Sequence, residues 1–462
     1  MNTCETICAV ATALGEGSIG VIRLSGPDAH KIAAKMFKSK KGARIKNMPS
    51  FSARYGQIHG PNGVIDEAIL LIMRGPSSYT GEDVAEIQCH ASSAALKEIL
   101  ALALSFGAKL AEPGEFTKRA FLNSRLDLSQ AEAVIDIIRA KTGSSLKAAQ
   151  NNLAGALSAK IRPLRQLLLK TIAHLEAAID FPEEDLEELS ADTAAAFMQE
   201  ALSEINLLLK TAATGKILRE GLKTALIGRP NVGKSSLLNA LAGEERAIVT
   251  DIAGTTRDVI EEYLNLDGIP LCVMDTAGIR KTDDAIEKLG VQKAKDVWRE
   301  ADLSLLLLDF SQELSVEDRD ILAEVKANNL KNLLVLVNKS DLPPKLDLTE
   351  VKKYLDGNPV LTISAKEALG LSELKKAVAA VALAGGALTS DAVFVSNVRQ
   401  TDLLRQSAAH LEDALASSAA YLPTDCIVID LKLAWEKLGE ITGESVGEDI
   451  LTQIFSQFCL GK

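Results

Sequence analysis

The chain has 462 residues, 47% of them hydrophobic and 24% charged, which is typical of a packed protein of two to four domains. A net charge of −11 argues against a large nucleic-acid footprint, so any RNA contact is expected to be local or shared with a partner. No apolar run approaches the ~18 residues of a membrane span, and the first residues lack a signal-peptide pattern, so a cytoplasmic protein is expected.

Residues 1–122 are predicted to form an α+β domain. The alternation of apolar residues predicts four strands and one helix, with a hairpin turn at residues 60–63: Ile19–Leu24, Ala53–Ile58, Val64–Met73, Val84–Cys89 and the helix Ala94–Leu104. Three charged residues in or just past this region, Arg23, Glu86 and Arg125, have no self-evident role. Surface ion pairs are the plainest interpretation of them.

Residues 123–216 are predicted to be helical. Apolar residues recur at spacings of three and four from Leu153 to Ile179, which predicts one stripe along a single long helix that contains Pro163. A further helix is predicted over Thr193–Thr211. Because helical segments reappear in residues 386–462, we expect one helical domain interrupted by another domain at residues 217–385. Two separate helical domains are the alternative.

The segment Gly228–Ser235 matches the phosphate-loop pattern G-x-x-x-x-G-K-[ST] and follows the apolar run Thr224–Ile227. Glycines let backbone N–H groups wrap a pyrophosphate, and the N-terminus of the following helix adds positive potential. Lys234 is expected to reach the outer phosphates, and Ser235 to ligate Mg²⁺. The alternative, a glycine-rich surface turn, is disfavoured by the strand and helix on either side.

Two later segments, one with Thr256 and the other with Asp275 and Gly278, supply groups that can bind the phosphates of a nucleoside triphosphate and its metal. A hairpin at Asp267-Gly268 is predicted between them. Thr256 can complete the Mg²⁺ shell, and Asp275, at a strand end, suits a water-mediated contact to the metal. The N–H of Gly278 can bind a terminal phosphate.

The base-reading residues are predicted at the ends of two further strands, in Asn338–Asp341 and Ser364–Lys366. The Asp341 carboxylate can accept hydrogen bonds from N1–H and the exocyclic amino group of guanine, whereas adenine presents an acceptor there. A site built this way rejects an analogue by roughly 10⁴ or more, so GTP is the expected substrate. Taken singly, Asn338–Asp341 could equally be a capped turn.

The full set of residues expected to bind GTP is Asn231, Val232, Gly233, Lys234, Ser235, Ser236, Thr250, Asp251, Ile252, Ala253, Gly254, Thr255, Thr256, Asp275, Thr276, Ala277, Gly278, Asn338, Lys339, Ser340, Asp341, Ser364, Ala365 and Lys366.

One expected side chain is absent. Small signalling GTPases carry a water-orienting glutamine after the glycine of Asp-x-x-Gly, whereas this chain has Ile279. No arginine finger can be assigned, so a bound cation or a partner subunit must be considered for neutralising charge. Asn231 offers a side-chain oxygen near the phosphates, although it could equally hold the loop turn by local hydrogen bonds.

Over essentially its whole length the chain resembles the MnmE (TrmE) family of tRNA modification GTPases. The resemblance is carried by the P-loop together with several segments outside it: Asp251–Asp258, Tyr79–Val84, Pro113–Phe116, Asn123–Ala133 and Phe458–Lys462. It implies a multidomain protein: an α+β N-terminal domain that binds folate and dimerises, a helical bundle domain, and a Ras-like α/β P-loop GTPase domain inserted into the bundle.

The resemblance also implies a function. With an FAD-dependent partner, MnmG (GidA), in a heterotetramer, the homodimer would install an aminomethyl or carboxymethylaminomethyl group on C5 of the wobble uridine of certain tRNAs. GTP hydrolysis would depend on K⁺ and on pairing of the GTPase domains. 5-Formyl-tetrahydrofolate or a related one-carbon folate would be a cofactor.

Motif matching implies the sites for these ligands. K⁺ would be held by Asn231, Thr250, Ile252 and Thr255, Mg²⁺ by Ser235 and Thr256, and Glu287 would orient the water. Folate would contact Arg23, Glu86, Arg125 and Lys462, and the Cys459 tail belongs to the family pattern. Arg125 stands where a lysine is often found, so a guanidinium replaces an ammonium.

Other functions stay open at this point. The chain could be a ribosome-assembly GTPase whose flanking domains only bind. It could also be a folate-dependent one-carbon transferase in which the GTPase domain is purely regulatory.

Overall fold

The computed structural model describes residues 5–13, 15, 17–40, 45–180, 191–243, 262–274, 297–328, 330, 332–355, 357–383 and 393–462. It divides the chain into two compact units. The first comprises Met1–Ile135 and Gly439–Lys462, and the second comprises Asp136–Leu438. The domain limits predicted from the sequence, after residues 122, 216 and 385, stay predictions.

The strands of the described residues are, in chain order, β1 (Ile7–Val10), β2 (Gly17–Ser25), β3 (Phe37–Ser39), β4 (Ser52–Gly60), β5 (Gly63–Met73), β6 (Val84–Ala91), β7 (Lys109–Leu110), β8 (Leu222–Ile227), β9 (Glu262–Leu266), β10 (Ile269–Met274), β11 (Leu303–Asp309), β12 (Leu333–Asn338) and β13 (Val360–Thr362).

The helices of the described residues are α1 (Ala29–Met36), α2 (Ser93–Ser105), α3 (Glu115–Leu122), α4 (Leu128–Arg139), α5 (Gly143–Leu153), α6 (Ala156–Asp180), α7 (Ala191–Glu220), α8 (Lys234–Ala242), α9 (Val316–Asn328), α10 (Leu348–Lys352), α11 (Leu371–Ala382), α12 (Val398–Ala419), α13 (Thr424–Thr442) and α14 (Glu448–Ser456), with a 3₁₀ turn at Ile45–Asn47.

The first unit is built on a seven-stranded sheet with the strand order β3-β4-β5-β6-β2-β1-β7. Its hydrophobic core lies between one face of this sheet and helices α1 and α2, and includes Ile22, Leu70, Ile87 and Ile99. The predicted hairpin between β4 and β5 is present, with Gly60 paired to Gly63. Because β2 and β6 are antiparallel neighbours, Arg23 lies directly opposite Glu86.

The second unit contains a six-stranded sheet with the order β13-β12-β11-β8-β10-β9, in which only β9 runs antiparallel to its neighbour. Every residue of β11 and β12 is buried, as expected for parallel strands covered on both faces. Alternate residues of β11 enter two hydrophobic clusters, Leu305 and Leu307 one, and Leu306 and Leu308 the other. The sheet therefore has a core on each side.

The predicted hairpin at Asp267-Gly268 joins β9 to β10, with Leu266 paired to Ile269. Both turn residues have positive φ, 49° and 93°, which is the geometry of the two-residue turns that fit the twist of a hairpin. The Asp-Gly pair was therefore a correct sequence signal.

The six-stranded sheet is inserted between helices that pack on one another. The helix α7, which precedes the sheet, contacts α12, which follows it. The Arg165 guanidinium of α6 lies 4.3 Å from the Trp435 ring centroid of α13. The prediction of one interrupted helical domain in a multidomain protein is thus confirmed.

The prediction of a single helix through Leu153–Ile179 is wrong. Helix α5 ends at Leu153 and α6 begins at Ala156. Between them Gly155 has a φ of 90°, a left-handed conformation that ends a helix and that glycine adopts at little cost. The apolar stripe continues as buried residues of α6 from Leu157 to Leu175, with Pro163 inside the helix.

Candidate functional site

The P-loop lies between the end of β8 and the start of α8, at the carboxyl edge of the six-stranded sheet. Two of its glycines cannot be replaced without strain. Gly228 has a φ of 145°, and a Cβ there would stand 2.7 Å from the Leu307 carbonyl oxygen; Gly233 has a φ of 104°, and its Cβ would stand 2.2 Å from Asn338 Nδ2. The loop is thus a backbone cradle that only glycine permits, as phosphate binding requires.

Lys234, the first residue of α8, folds back over this cradle. Its ammonium donates to the carbonyl oxygens of Gly228 and Arg229, the latter at 3.3 Å. Burial lowers the pKa of Lys234 below its ordinary value, because removing an ammonium from water disfavours the charged form. Phosphate oxygens would replace these neutral acceptors with charged ones, so the side chain fits a polyphosphate ligand. Ser235 is exposed next to it, with a hydroxyl oxygen of the kind Mg²⁺ prefers.

Asn338 joins the P-loop to a second loop. It is 2% exposed, and its amide nitrogen donates to the Val232 carbonyl oxygen at 2.9 Å. Its amide oxygen accepts from the Ala365 N–H at 3.0 Å. Both halves of the amide are therefore engaged in holding two loops together. This assigns Asn338 a role in shaping the pocket.

Asp341 is held by the same second loop. Its Oδ1 accepts a hydrogen bond from the Ser364 hydroxyl at 2.6 Å, while the residue as a whole is exposed. That bond keeps the pKa of Asp341 below its ordinary value. The side chain is therefore an oriented carboxylate that can accept from the N1–H and amino group of guanine, as the sequence predicts.

Two ion pairs beside the P-loop escaped the sequence analysis. The Lys339 ammonium lies 2.7 Å from the Asp309 carboxylate and 2.9 Å from the Asn231 carbonyl oxygen. The Arg229 guanidinium lies 3.2 Å from the Asp318 carboxylate. The only sequence signal for Asp309 is its position directly after the apolar run Leu305–Leu308.

Of the other predicted nucleotide residues, Ser236 and Lys366 are exposed and the Ser340 N–H donates to the Ile363 carbonyl oxygen. Several predicted nucleotide and metal residues lie outside the described residues. They are the segments 250–256 and 275–278, Ile279 and Glu287. The assignments of K⁺ ligands to Thr250, Ile252 and Thr255, of Mg²⁺ to Thr256, and of the water-orienting role to Glu287 stay predictions.

A second group of predicted site residues meets in the first unit. The Arg23 Nε donates to the Glu86 carboxylate at 2.8 Å, and its Nη1 donates to the Gly461 carbonyl oxygen at 3.2 Å. Gly461 is tightly placed, because a Cβ there would stand 2.3 Å from the Val10 carbonyl oxygen. The segment that carries Cys459 and Lys462 is thereby fixed beside Arg23, although Cys459 itself is exposed.

Aromatic rings complete this group. The guanidinium carbons of Arg23 and Arg125 lie 5.4 Å and 5.0 Å from the Tyr79 ring centroid, and Arg23 also lies 5.6 Å from that of Phe116. Tyr79 and Phe116 were not singled out individually as site residues.

The charge of this second group favours an anion. Burial, and then the nearby Arg23 cation, lower the pKa of Lys462 below its ordinary value. Arg23 pairs with Glu86, Lys462 lies close enough to interact with both, and Arg125 shares the Tyr79 ring with Arg23. Cations beside aromatic faces suit a flat, negatively charged ligand, since a ring can stack and its carboxylates can pair with the guanidinium groups. The four residues predicted to contact folate fit such a ligand.

The chain is similar to known proteins over its full length. Residues 6–125 match the family model described as the GTP-binding protein TrmE N-terminus, and residues 128–459 match the MnmE helical domain. Proteins named tRNA modification GTPase MnmE are 49% identical in Geobacillus kaustophilus (strain HTA426), over 100% of both chains, and 48% identical in Bacillus subtilis (strain 168), over 99% of this chain and 100% of that one. The protein of the same name in Clostridioides difficile (strain 630) is 49% identical over 99% of each.

The oriented carboxylate of Asp341 predicts a change of base specificity. Asp341→Asn removes an acceptor for guanine and introduces an amide that matches the extra carbonyl of xanthine. We expect GTP affinity to fall about 10- to 100-fold, with xanthosine triphosphate binding more tightly than to the wild type. Calorimetric titration measures both, with Asp320→Asn as a control for loss of an exposed acid outside the pocket. Equal affinity of the wild type for ATP and GTP would contradict the assignment.

Proposed function

The chain belongs to the MnmE family of tRNA modification GTPases, and on that premise we propose that it hydrolyses GTP as part of modifying C5 of the wobble uridine of certain tRNAs. The group added is aminomethyl or carboxymethylaminomethyl, and an FAD-dependent partner, MnmG, acts with it in a heterotetramer. The names of the relatives support the tRNA substrate.

The observation that carries the GTPase part is the bridged pocket of the second unit. Asn338 ties the P-loop to the loop of Ser364 and Ala365 through hydrogen bonds at 2.9 and 3.0 Å, and Ser364 orients Asp341. In this arrangement Asp341 selects the base, the N–H groups of the loop surround the phosphates, and Lys234 pairs with the outer ones. Because the two loops are already joined, they need little further ordering when GTP binds.

Mg²⁺ would be held by Ser235 with Thr256, and K⁺ by Asn231 with Thr250, Ile252 and Thr255. Bound cations supply positive charge opposite the transferring phosphoryl group, a role that other GTPases give to an arginine. Asn231 is exposed with a φ of 65°, and its backbone oxygen is engaged by Lys339. The backbone of a potential cation ligand is thereby fixed at the edge of the loop.

We assign the first unit to folate and to dimerisation of the chain. The carboxylates of the folate would pair with Arg23, Arg125 and Lys462. Glu86 would hold Arg23 in place and accept a hydrogen bond from the folate ring. Tyr79 would offer a face on which that ring stacks.

Among the described residues no helix is apolar and long enough to cross a membrane.

Nucleoside analysis of tRNA from a strain that lacks the gene tests the function. We expect the modified wobble uridine to disappear and to return when the gene is restored. Defective ribosomal subunits with an intact modified uridine would instead support a ribosome-assembly GTPase.

The folate site should be separable from GTP hydrolysis, because Arg23 and its partners belong to a different unit from the P-loop. Arg23→Ala should abolish tRNA modification in the complemented strain and leave the purified protein's GTP turnover nearly unchanged. Arg54→Ala, on an exposed part of β4, is the matched control for losing an arginine. Normal tRNA modification by the Arg23 variant would remove this residue from the site.

Hydrolysis should depend on K⁺ and on pairing of two GTPase domains. Ile279 replaces the usual water-orienting glutamine. The family resemblance assigns that role to Glu287, which would reach the water when the paired GTPase domains close. Glu287→Ala should cut the single-turnover rate strongly with little change in nucleotide affinity or in K⁺-induced pairing, and an Asn231 variant should lose K⁺ stimulation. Equal rates in K⁺ and Na⁺ buffers of matched ionic strength would contradict the role of the cation.

A further inference from the structure

Asp309 is the last residue of β11, and its side chain is only 2% exposed. One carboxylate oxygen, Oδ2, lies 2.7 Å from the Lys339 ammonium. The other, Oδ1, accepts from the backbone N–H and the hydroxyl of Ser311 at 2.9 and 2.7 Å. With both oxygens engaged, the carboxylate has one fixed orientation.

Lys339 connects this buried carboxylate to the P-loop. Its ammonium also donates to the backbone carbonyl oxygen of Asn231 at 2.9 Å. Lys339 and Asn231 both have left-handed backbones, with φ values of 68° and 65°. Non-glycine residues seldom adopt this conformation, and where they do, the surroundings hold them there, often at functional sites. The contact thus joins two constrained positions, one in each loop.

The Asp309 side chain is ionised at neutral pH. Burial by itself raises the pKa of this carboxyl, but the hydrogen bond from Lys339 and those from Ser311 outweigh it, so the pKa lies below its ordinary value. A buried charge is costly without a partner. Lys339 is therefore strongly favoured at the position where its ammonium also reaches Asn231.

We propose that Asp309 is a positioning residue for the guanine nucleotide, which holds the Lys339 ammonium on the Asn231 carbonyl and so fixes the base-reading loop against the P-loop. This inference rests on the proposed binding of GTP in this pocket. Asp309 contacts neither the base nor the phosphates in this role. It acts by ordering the pocket before the nucleotide binds, which lowers the free-energy cost of binding.

A purely structural ion pair is the competing explanation. Two features argue against it. Buried ion pairs are weak contributors to stability compared with apolar packing, and this one lies at the carboxyl edge of a parallel sheet, where α/β proteins bind their ligands. Asp309 also lies directly beside Asn338 in the β11–β12 register, the residue that bridges the same two loops.

A double-mutant cycle with fluorescently labelled GDP tests the proposal. Asp309→Asn keeps the shape and removes the charge, so we expect labelled GDP to bind about tenfold more weakly. Lys339→Met should weaken binding at least as much. In the Lys339→Met background Asp309→Asn should change affinity less than about twofold, because residues that act through one another are not additive. In steady-state hydrolysis measured over a range of GTP concentrations, Asp309→Asn should raise KM with little change in kcat.

The controls separate this role from general destabilisation. Asp320→Asn removes an exposed carboxylate on α9 and should leave affinity unchanged. Asp318→Asn acts on the P-loop through Arg229, so its effect should add to that of Lys339→Met. If Asp309→Asn does not fold, Ser311→Ala loosens the same carboxylate without removing its charge; we expect a loss of about threefold that vanishes in the Lys339→Met background.

The outcomes are distinguishable. Wild-type protein that does not bind labelled GDP would overturn the proposed nucleotide pocket itself. If the wild type binds labelled GDP, two results would overturn only the role of Asp309. One is a folded Asp309→Asn protein with unchanged affinity for labelled GDP. The other is a loss of affinity from Asp309→Asn that adds fully to the loss from Lys339→Met.

Discussion

The buried amide of Asn338 is the constraint on which the nucleotide pocket depends. It donates to the P-loop at Val232 and accepts from the second loop at Ala365, so the loops after β8, β12 and β13 form one surface. Gly233 has to lack a side chain because a Cβ would collide with this amide. An unsatisfied buried amide costs about 1–3 kcal/mol, which disfavours separation of the loops. In the proposed function, phosphate binding and base reading would therefore be parts of a single site.

The first unit brings several cations together at one place, although the net charge of the protein is −11. Arg23 is oriented by its cross-strand partner Glu86 and by the Gly461 carbonyl. Lys462 is brought beside it although burial and Arg23 both disfavour its charge. Such unfavourable crowding of cations is relieved by a bound anion. Electrostatics therefore support an anionic ligand at this site, and the family resemblance suggests that this ligand is a folate.

Features that depend on neighbouring residues could be predicted from the sequence. The P-loop, the Asp267-Gly268 turn and the apolar strand β11 are examples, because each is determined by a few adjacent side chains. The break at Gly155 was missed because a helical stripe continues on both sides of it. Arg23 and Gly461 are 438 positions apart, so their contact had no local signal and only the resemblance pointed to it. Asp309 belongs to no sequence motif. Its proposed role is evident only from its contact with Lys339, which directly follows β12.

The central claim is that the two loops bridged by Asn338 act as one site, and hydrogen–deuterium exchange of the wild-type protein with and without GDP tests it most directly. The account predicts that amides of the P-loop from Val232 to Lys234 and the amide of Ala365 gain protection together on binding, while β2 and β6 do not change. An Asn338→Ala protein should lose this joint response and retain at most protection of the P-loop. Protection confined to the P-loop in the wild type, or an unaltered joint response in the Asn338 variant, would contradict the account.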